Sequence, residues 1–571
     1  MQLRWDVLTA PADRVHALAA ELGISELTAR LLVNRGLENP EEASAFLCTS
    51  LAGLHDPHLM KDMDRVLARI VRAIEQQEKI LIYGDYDVDG ITAIVVLRRA
   101  LEMLGSRADF YLPRRLEEGY GLKAEVIKHA ADQGYKLIIS VDSGIRAFDA
   151  GEAAFAAGTD LIITDHHLPD QSLPPAFAIL NPRRPDCPYP DKNLAGVGVV
   201  FKLVQALLSR SGKAHLLEHF LKLVAIGTIA DVVPVVGENR IIARLGLEGL
   251  GDPRNVGLKA LLEGAGVGKE VKLVDVGFKL APRINAVTRM GGGREVIDLF
   301  SVRSPAEADA IVRTMNEMNS TRQKEEAGIL SAIERKILEE PDLQNRYFLV
   351  FVGEGWHRGV IGIVASRIVE RFHRPVLILS SDGRVCQGSG RSIPGFHLLD
   401  ALDHCRDLLA QYGGHAQAAG CTLEADHFEA LATRLNDYAS RTLTPEDLCP
   451  RLQIECLLPI EQVTLPLIQE VELLAPFGTG NPLPVFASNQ VAVAAGPWVL
   501  KEKHLKLQLK SNGTRLDAIW WKNGKAAETV KSGQPLDVAY TLSRETYQGR
   551  ESVLLGVCDL RTPRSQDQSD L

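Results

Sequence analysis

Between residues 79 and 182, short apolar runs alternate with longer helix-like segments, and this alternation constrains the fold more than any other feature. The apolar runs are KILIY (79–83), DFYL (109–112), KLIISV (136–141), DLIIT (160–164) and FAIL (177–180). Strand-length runs separated by helix-like segments of about 10–15 residues indicate successive βα units with parallel strands. The pattern predicts an α/β fold with a doubly wound parallel sheet.

The chain has 571 residues, and single hydrophobic cores stop growing near roughly 250–300 residues, so several domains are expected. A long, charged, glycine-poor segment at 304–341 fits a helix that links two domains. A second α/β pattern follows it, and short strands with turn signals after residue 450 are typical of a small barrel. The predicted domains are a first α/β domain with an N-terminal cap (1–300), a linking helix (301–343), a second, smaller α/β domain (344–445), an OB-like β-barrel (446–562) and a disordered tail (563–571).

Several classes of protein are disfavoured by the sequence. No apolar run reaches the roughly 20 residues of a membrane helix, and the N-terminus lacks the apolar stretch of a secretory signal. The eight cysteines contain no CxxC pair, which is typical of reduced thiols in the cytoplasm rather than of disulfides or a zinc site. A net charge of -9 argues against nucleic-acid binding unless basic residues cluster in one groove.

Asp85, Asp87 and Asp89 follow the first apolar run at alternate positions. In an extended backbone this spacing puts the three carboxylates on one side, where their mutual repulsion calls for a cation. A solvated acidic turn is the alternative. An EF-hand calcium loop does not fit, because Val96 stands where its glutamate belongs.

Further metal-ligating side chains accompany other apolar segments. Asp142 follows the third apolar run, Asp165, His166 and His167 follow the fourth, and Asp231 lies within the apolar segment TIADVVP. A buried aspartate is costly unless it is paired or binds metal, and strand ends converge where open α/β sheets hold ligands. Mixed carboxylate and imidazole ligands suit Mn²⁺ and tolerate Mg²⁺. This number of ligands is sufficient for two ions bridged by one aspartate.

Together these segments resemble the DHH phosphoesterase family, whose name motif is Asp165-His166-His167. The resemblance implies that Asp142 bridges two Mn²⁺ or Mg²⁺ ions and that His167 contacts the scissile phosphate. It also implies that Asp85 and Asp165 support the ligands from behind. The implied metal ligands, which are also the implied catalytic residues with His167, are Asp87, Asp89, Asp142, His166 and Asp231.

Other segments resemble the branch of this family that degrades single-stranded DNA: LAGVGVVFKL (194–203), GTIADVVPVVGENR (227–240), LAPRINAVTRMG (280–291), WHRGVIGIVASRI (356–368), GSGRSIPG (388–395), YGGHAQAAG (412–420) and PFGTGNPLPVF (476–486). The sequence departs from the family at Val287-Thr288, where Ala-Gly is usual. The likeness implies a DHHA1-type second domain that grips the substrate. The candidate substrate-binding residues are Arg114, Arg283, Arg289, Ser389, Arg391 and His415, although arginines in such places can also form ordinary salt bridges.

The resemblance implies a 5′→3′ exonuclease that releases 5′-mononucleotides from single-stranded DNA in repair and recombination. The implied partners are a single-strand-binding protein and a helicase, and the protein is expected to be a cytoplasmic monomer without membrane contact. One alternative is a DHH phosphodiesterase acting on short RNA or small phosphate substrates. The long C-terminal half and the OB-like domain argue against it. Tyr83 stands where DHH pyrophosphatases have a histidine, which argues against a pyrophosphatase. A non-catalytic replication scaffold is disfavoured by the intact ligand set.

Overall fold

The computed structural model describes residues 3–115 and 117–563. The tail predicted at 563–571 therefore lies outside the described residues from residue 564 onward. The chain divides into two compact units, one formed by Ser50–Leu448 and the other by Met1–Thr49 together with Cys449–Leu571. No helix among the described residues has both the length and the apolar character needed to cross a bilayer.

The elements are numbered in chain order. The described strands are β1 (Arg4–Val7), β2 (Ile80–Tyr83), β3 (Ala108–Tyr111), β4 (Leu137–Val141), β5 (Asp160–Thr164), β6 (Ala178–Leu180), β7 (Leu349–Glu354), β8 (Val376–Ser381), β9 (Val385–Arg391), β10 (Gln411–Gly414), β11 (Ala418–Glu424), β12 (Arg451–Ile454), β13 (Cys456–Leu457), β14 (Phe486–Leu500), β15 (His504–Ser511), β16 (Thr514–Trp520), β17 (Pro535–Tyr547) and β18 (Arg550–Arg561).

The described helices are α1 (Ala12–Leu22), α2 (Glu26–Val33), α3 (Pro40–Leu47), α4 (Met63–Glu75), α5 (Val88–Met103), α6 (Ala124–Asp132), α7 (Phe148–Ala156), α8 (Gly196–Arg210), α9 (Leu221–Ala230), α10 (Gly237–Leu250), α11 (Val256–Gly264), α12 (Leu273–Asp275), α13 (Ala281–Arg289), α14 (Arg294–Leu299), α15 (Pro305–Glu339), α16 (Arg358–Phe372), α17 (Leu398–Asp403), α18 (Phe428–Thr442) and α19 (Leu465–Glu472). A π-helical turn at Val276–Leu280 joins α12 to α13.

The first sheet is parallel and has the strand order β3-β2-β4-β5-β6. Ile80 and Ile82 of β2 enter a core with α5 and α8, whereas Leu81 and Tyr83 enter a second core with α6 and α7. Helices therefore cover both faces of the sheet, which is why its strands are apolar throughout. The doubly wound prediction is confirmed. Because the strand order reverses beside β2, the carboxyl ends of β2 and β4 border the crevice where such sheets hold ligands.

The long linking helix is also confirmed. Helix α15 has 35 residues and is about 50 Å long at 1.5 Å per residue. Near its N-terminal end, Ala308 and Val312 enter the core that contains α5 and α8. Near its C-terminal end, Ile329 and Ile333 enter a separate core with β7, β8 and α16. The helix thus connects two hydrophobic cores within the unit Ser50–Leu448.

The second α/β domain contains a mixed sheet of order β10-β11-β9-β8-β7, in which only β7 and β8 are parallel. Alternation along β8 again separates two cores. Val376 and Ile378 pack with α16 on one face, and Leu377 and Leu379 pack with α17 and α18 on the other. The strand β9 and the hairpin β10–β11 form the part of this sheet that carries the predicted substrate-binding residues.

The other unit contains a closed five-stranded barrel, in which β14, β15, β16, β18 and β17 pair in turn and β17 pairs back onto β14. The predicted OB-like barrel is thereby confirmed.

The structure corrects the prediction that the N-terminal residues cap the first α/β domain. Helices α1 to α3 share a core with the barrel, through residues such as Leu18 and Leu31 packed with Ile460. A buried ion pair of 2.8 Å joins Arg35 to Glu455. The apolar faces of these helices show that they must be buried, but a periodic pattern does not identify the distant segment that buries them.

Candidate active site

The first three aspartates lie where β2 gives way to α5. Asp85 and Asp87 belong to the connection, and Asp89 is already in the first turn of α5. Asp87 caps the helix, since its Oδ1 accepts a hydrogen bond of 3.0 Å from Gly90 N–H. The predicted extended backbone over all three carboxylates is therefore wrong, because the helix already includes Asp89.

The predicted metal ligands nevertheless meet at the carboxyl ends of the strands. His166 Nε2 lies 3.2 Å from Asp142 Oδ1, 3.6 Å from Asp231 Oδ2 and 3.9 Å from Asp89 Oδ2. The ligand atoms form three groups, each with all its atoms within 4.8 Å of one another: Asp85 with Asp87 and Asp142, Asp89 with His166 and Asp231, and Asp142 with His166 and His167. Asp142 and His166 each belong to two groups, so the groups form one continuous centre.

Backbone geometry holds the central carboxylates in place. Asp142 follows β4 with a left-handed φ of 59°, a conformation that aspartate tolerates better than most residues. The N-terminus of α8 lies directly against it, and a Cβ on Gly196 would lie only 2.5 Å from Asp142 Oδ1. The amides of Gly196 and Val197 donate to the Asp89 carboxylate at 2.6 and 2.7 Å. The start of α8 therefore neutralises part of the charge of Asp89.

Hydrogen bonds to Asp165 orient His166 and His167. Its carboxylate accepts hydrogen bonds from the amides of Ile145, His166 and His167, and His167 Nδ1–H donates to Asp165 Oδ1 at 2.7 Å. Burial acts to lower the pKa of His167, but the hydrogen bond to Asp165 and the negative charges around it outweigh burial and raise the pKa. His167 is therefore suited to carry a positive charge beside an anionic substrate.

The electrostatics of the centre fit divalent cations. Burial, followed by the charge of Asp87, raises the pKa of Asp89 to about 7, and burial with neighbouring carboxylates also raises the pKa values of Asp85, Asp142 and Asp231. Burial lowers the pKa of His166 to about 3, which keeps its imidazole neutral. Asp142 Oδ1, Asp231 Oδ2 and His166 Nε2 are buried without a hydrogen-bond partner among the described residues. These oxygen and nitrogen donors fit Mn²⁺ or Mg²⁺.

A cluster of arginines accompanies the metal centre in the same unit. Arg289 Nη1 donates to the Gly359 carbonyl at 2.7 Å, and Arg391 Nη1 donates to Ser389 Oγ at 3.1 Å. Burial, followed by the charges of Arg115 and Arg391, lowers the pKa of Arg289 to about 9. None of the three arginines forms an ion pair with a described residue, so the cluster provides unneutralised positive charge for an anion.

Tyr86 connects the arginine cluster to the metal centre. It lies between Asp85 and Asp87 in the sequence, and the guanidinium carbon of Arg115 lies 4.6 Å from the centroid of its ring. Burial and the charge of Asp85 raise the pKa of Tyr86 to about 12, while Arg115 acts in the opposite direction. The arginine cluster therefore borders the predicted metal ligands.

The structure does not bring all the predicted substrate-binding residues together. Arg114 has an exposed side chain 3.1 Å from Glu117. Arg283 donates to Asn316 Oδ1 at 2.7 Å and so ties α13 to α15. His415 lies in the turn between β10 and β11, and burial, followed by the charges of Arg146 and His167, lowers its pKa.

Sequence reasoning missed two residues of this site and identified a third feature only by resemblance. Arg115 joins the arginine cluster, but its neighbour Arg114 looked equivalent in the sequence. Arg183 contributes positive charge near His166 and Asp231, and its charge is among the causes that lower the pKa of His166. The segment at 194–203 was recognised only by resemblance, although glycine at the first position of a helix is a usable signal of close approach.

Comparison with known families agrees with this geometry. Residues 79–228 match the DHH family, N-terminal domain, residues 344–441 match the DHHA1 domain, and residues 454–559 match the RecJ OB domain. Fold and site together define the class, a DHH-type phosphoesterase domain followed by a DHHA1 domain.

Relatives define the family more narrowly. The chain is 39% identical to the single-stranded-DNA-specific exonuclease RecJ of Bacillus subtilis (strain 168), over 98% of this chain and 71% of the relative. The crystal structure of RecJ from Thermus thermophilus in complex with Mn²⁺ matches with a TM-score of 0.85 at 31% identity, over 99% of this chain and 80% of that chain. The Mg²⁺ complex of the same protein matches with a TM-score of 0.78 at 30% identity, over 99% and 79%. The chain belongs to the RecJ family of single-stranded-DNA-specific exonucleases.

Proposed function

We propose that the protein is a metal-dependent exonuclease that hydrolyses single-stranded DNA from the 5′ end and releases 5′-mononucleotides in repair and recombination. The matched relatives from Bacillus subtilis and Escherichia coli are single-stranded-DNA-specific exonucleases. The single observation that carries the proposal is the joining of a carboxylate and histidine centre to an arginine cluster through Tyr86. One part suits divalent cations, and the other suits the phosphate at the end of a strand.

The metal ligands are proposed to be Asp87, Asp89, Asp142, His166 and Asp231, with Asp142 shared between two ions. When bound, such a pair of ions supplies Lewis acidity to the phosphodiester and stabilises charge on its leaving oxygen. Asp85 and Asp165 hold the ligands in place. His167, fixed through its Nδ1–H by Asp165, places a positive imidazole against a phosphate oxygen.

The proposed 5′→3′ direction of degradation depends on the arginine cluster. Arg115, Arg289 and Arg391, with the Ser389 hydroxyl, are proposed to bind the terminal 5′-phosphate, since charge-assisted bonds to phosphate are strong and geometrically specific. A pocket of this kind beside the metal centre would fix the end of the strand and leave the first internal phosphodiester at the ligands. Release of one nucleotide per cleavage is the consequence.

Other predicted residues have different roles in this proposal. His415 contacts the DNA backbone from the DHHA1-type domain. Arg283 is assigned to the packing of α13 on α15 because Asn316 occupies its guanidinium. The proposed domains are 50–300 for the DHH domain, 301–343 for the linking helix, 344–445 for the DHHA1-type domain and 446–562 for the OB-like domain, which residues 1–49 complete.

The barrel is proposed to grip the strand. Trp498 and Trp521 are 46% and 55% exposed, and lysines follow Trp498 at positions 501 and 503. Stacking of a base on an exposed aromatic ring contributes roughly 1–3 kcal/mol, and the lysines add a salt-sensitive attraction to phosphate. Replacing Trp521 by alanine should raise KM on long strands with a smaller change in kcat. Unchanged KM and salt dependence would instead assign the barrel to a protein partner.

Partners and location complete the proposal. A single-strand-binding protein and a helicase would present the substrate, and the protein would act as a cytoplasmic monomer. The eight cysteines are all free thiols, which fits a reducing compartment.

One assay tests the function directly. End-labelled single-stranded DNA, duplex DNA and RNA, each with a 5′-phosphate or a 5′-hydroxyl, are incubated with Mn²⁺, Mg²⁺ or a chelator. The expected result is mononucleotide release from 5′-phosphorylated single-stranded DNA in either metal and none in chelator. Preferential cleavage of short RNA would favour the alternative phosphodiesterase. Cleavage of no substrate would favour the non-catalytic scaffold.

A further inference from the structure

Tyr120 has its hydroxyl at the metal centre although it is 49% exposed. The hydroxyl oxygen lies 3.3 Å from His167 Nδ1, and the two ring centroids are 5.7 Å apart at an angle of 65°. The functional scheme above does not use this side chain. The side chain is thus open to solvent while its hydroxyl contacts a residue of the charged centre.

Counting protons shows that this hydroxyl is available as a donor. His167 carries at most one hydrogen on Nδ1, and that hydrogen is donated to Asp165 Oδ1 at 2.7 Å. A protonated ring nitrogen has no lone pair to accept another hydrogen bond. The hydroxyl hydrogen of Tyr120 therefore has no acceptor among the described residues, and it can be donated to a ligand.

Two neighbouring strand ends hold the segment that carries Tyr120. Tyr111, at the end of β3, donates its hydroxyl to Glu118 Oε2 at 2.5 Å. Tyr83, at the end of β2, donates its hydroxyl to the Gly121 carbonyl at 3.2 Å. The two rings are 5.1 Å apart, so they form one support. The segment is thus tied on both sides of Tyr120 to the same sheet edge that carries the metal ligands.

The backbone on each side of Tyr120 has left-handed geometry. Gly119 has a φ of 71° and Gly121 a φ of 92°, and no atom lies within 4 Å of a Cβ built on either. Glycine is required there by conformation rather than by crowding. Tyr120 is the one residue between these two left-handed glycines.

We propose that Tyr120 is a catalytic residue whose hydroxyl donates a hydrogen bond to a non-bridging oxygen of the scissile phosphate. The inference rests on the proposed phosphodiesterase function and extends it. A neutral hydroxyl does not compete with cations for the carboxylates, and it complements the positive imidazole of His167. A donor fixed where negative charge develops lowers the barrier without reorganisation during the reaction.

The test is Tyr120→Phe, which removes the hydroxyl and keeps the ring. Turnover is measured on 5′-phosphorylated single-stranded DNA and on the small diester thymidine 5′-(4-nitrophenyl phosphate), and Mn²⁺ affinity is measured separately. We expect kcat to fall about 10- to 100-fold, with KM and Mn²⁺ affinity within about twofold of the unaltered protein. Tyr135→Phe is the matched control, because its hydroxyl donates to Asp109 at 2.7 Å instead.

Substrates with sulfur at one non-bridging oxygen give a second measurement. Sulfur is a weaker acceptor, so one diastereomer should slow the unaltered protein, whereas Tyr120→Phe should be insensitive to that replacement. A kcat for Tyr120→Phe within about twofold of normal would overturn the proposal. So would a loss of Mn²⁺ affinity equal to the loss of rate, because Tyr120 would then support the metal ligands. Cleavage of the small diester without cleavage of DNA would refute the DNA substrate alone and leave the Tyr120 measurement valid.

Discussion

The metal centre gathers negatively charged carboxylates, and the arginine cluster gathers positively charged guanidinium groups. Both lie in the same unit. In the first, burial and mutual repulsion raise the pKa values of Asp89 and Asp142. In the second, burial and the neighbouring guanidinium groups lower the pKa values of Arg289 and Arg391. Each group is unfavourable by itself and becomes favourable when a ligand supplies the opposite charge. Under the proposed function, the first group would hold cations and the second would bind a phosphate.

The two groups differ in how the chain assembles them. The proposed metal ligands come from the connections after the neighbouring strands β2, β4 and β5 and from the end of α9, so a single domain positions them. The arginine cluster needs Arg115 from the first domain, Arg289 from the end of α13 and Arg391 from β9 of the second domain. The first group should consequently tolerate changes between the domains, and the second should be sensitive to them.

The largest expected effect comes from Asp142→Asn, which tests the metal half of the comparison. Asparagine retains the left-handed backbone that residue 142 adopts but removes a charge shared by two groups of ligands. Activity should fall at least about 1,000-fold, because metal ions contribute several kcal/mol of charge stabilisation and each 1.36 kcal/mol is tenfold in rate. DNA affinity should change little. Turnover, Mn²⁺ affinity and single-strand binding are measured separately.

Asp132→Asn is the matched control for this change, because Asp132 is exposed at the end of α6. Its activity should stay within about twofold of normal. Turnover close to normal in Asp142→Asn would remove the metal assignment. Loss of DNA affinity equal to the loss of turnover would show that the two halves of the site are not separable.

Sequence reasoning predicted the residues of the metal centre much better than those of the arginine cluster, and the reason is physical. In a parallel sheet the carboxyl ends of consecutive strands meet, so Asp142 and His166 could be placed together from local patterns. The local conformation of Asp89 was predicted wrongly, because carboxylate spacing does not reveal where a helix begins. The arginine cluster depends on packing between domains, and the pair Arg114 and Arg115 cannot be told apart without it. The same limit led to the incorrect placement of residues 1–49.

The next largest effect is expected from Arg391→Ala, which tests the proposed binding of the 5′-phosphate by the arginine cluster. Charge-assisted hydrogen bonds are worth about 1.5–3 kcal/mol, so cleavage of 5′-phosphorylated strands should slow roughly 10- to 100-fold. Strands with a 5′-hydroxyl should be affected much less. Arg283→Ala is the control, because Arg283 is bound to Asn316 and should not distinguish the two ends. Equal losses on both ends in Arg391→Ala would make that residue structural.

A smaller effect should separate two adjacent arginines. Arg115 lies over Tyr86 and its charge lowers the pKa of Arg289, whereas the Arg114 side chain is 70% exposed beside Glu117. Arg115→Ala should reduce the preference for 5′-phosphate about 3- to 10-fold, which corresponds to roughly 1 kcal/mol. Arg114→Ala should leave the preference unchanged. The ratio of rates on the two kinds of end is the measurement, and a reversed order would place Arg114 in the pocket.

The smallest expected effect is on stability, and its sign can be derived for the metal-free protein. Between about pH 4 and pH 7 the folded state keeps a proton on Asp89, whose pKa is about 7, while the unfolded state releases it. Unfolding thus releases protons, and stability decreases as pH rises. The raised pKa values of Asp85, Asp142 and Asp231 act in the same direction. The lowered pKa values of His166, His373 and His415 act in the opposite direction below about pH 6.5. The raised pKa of His167 acts in the same direction as the four carboxylates.

The net expectation is a melting temperature that falls by roughly 2–5 °C between pH 5 and pH 8 in chelator. Mn²⁺ should reverse the trend, because protons compete with metal for the same ligands at pH 5 and much less at pH 8. Asp142→Asn should flatten the metal-free dependence, since it removes one of the four carboxylates, whereas Arg391→Ala should leave it unchanged. A metal-free melting temperature that rises from pH 5 to pH 8 would show that neighbouring positive groups already neutralise the carboxylates. The two halves of the site would then not be electrostatically distinct.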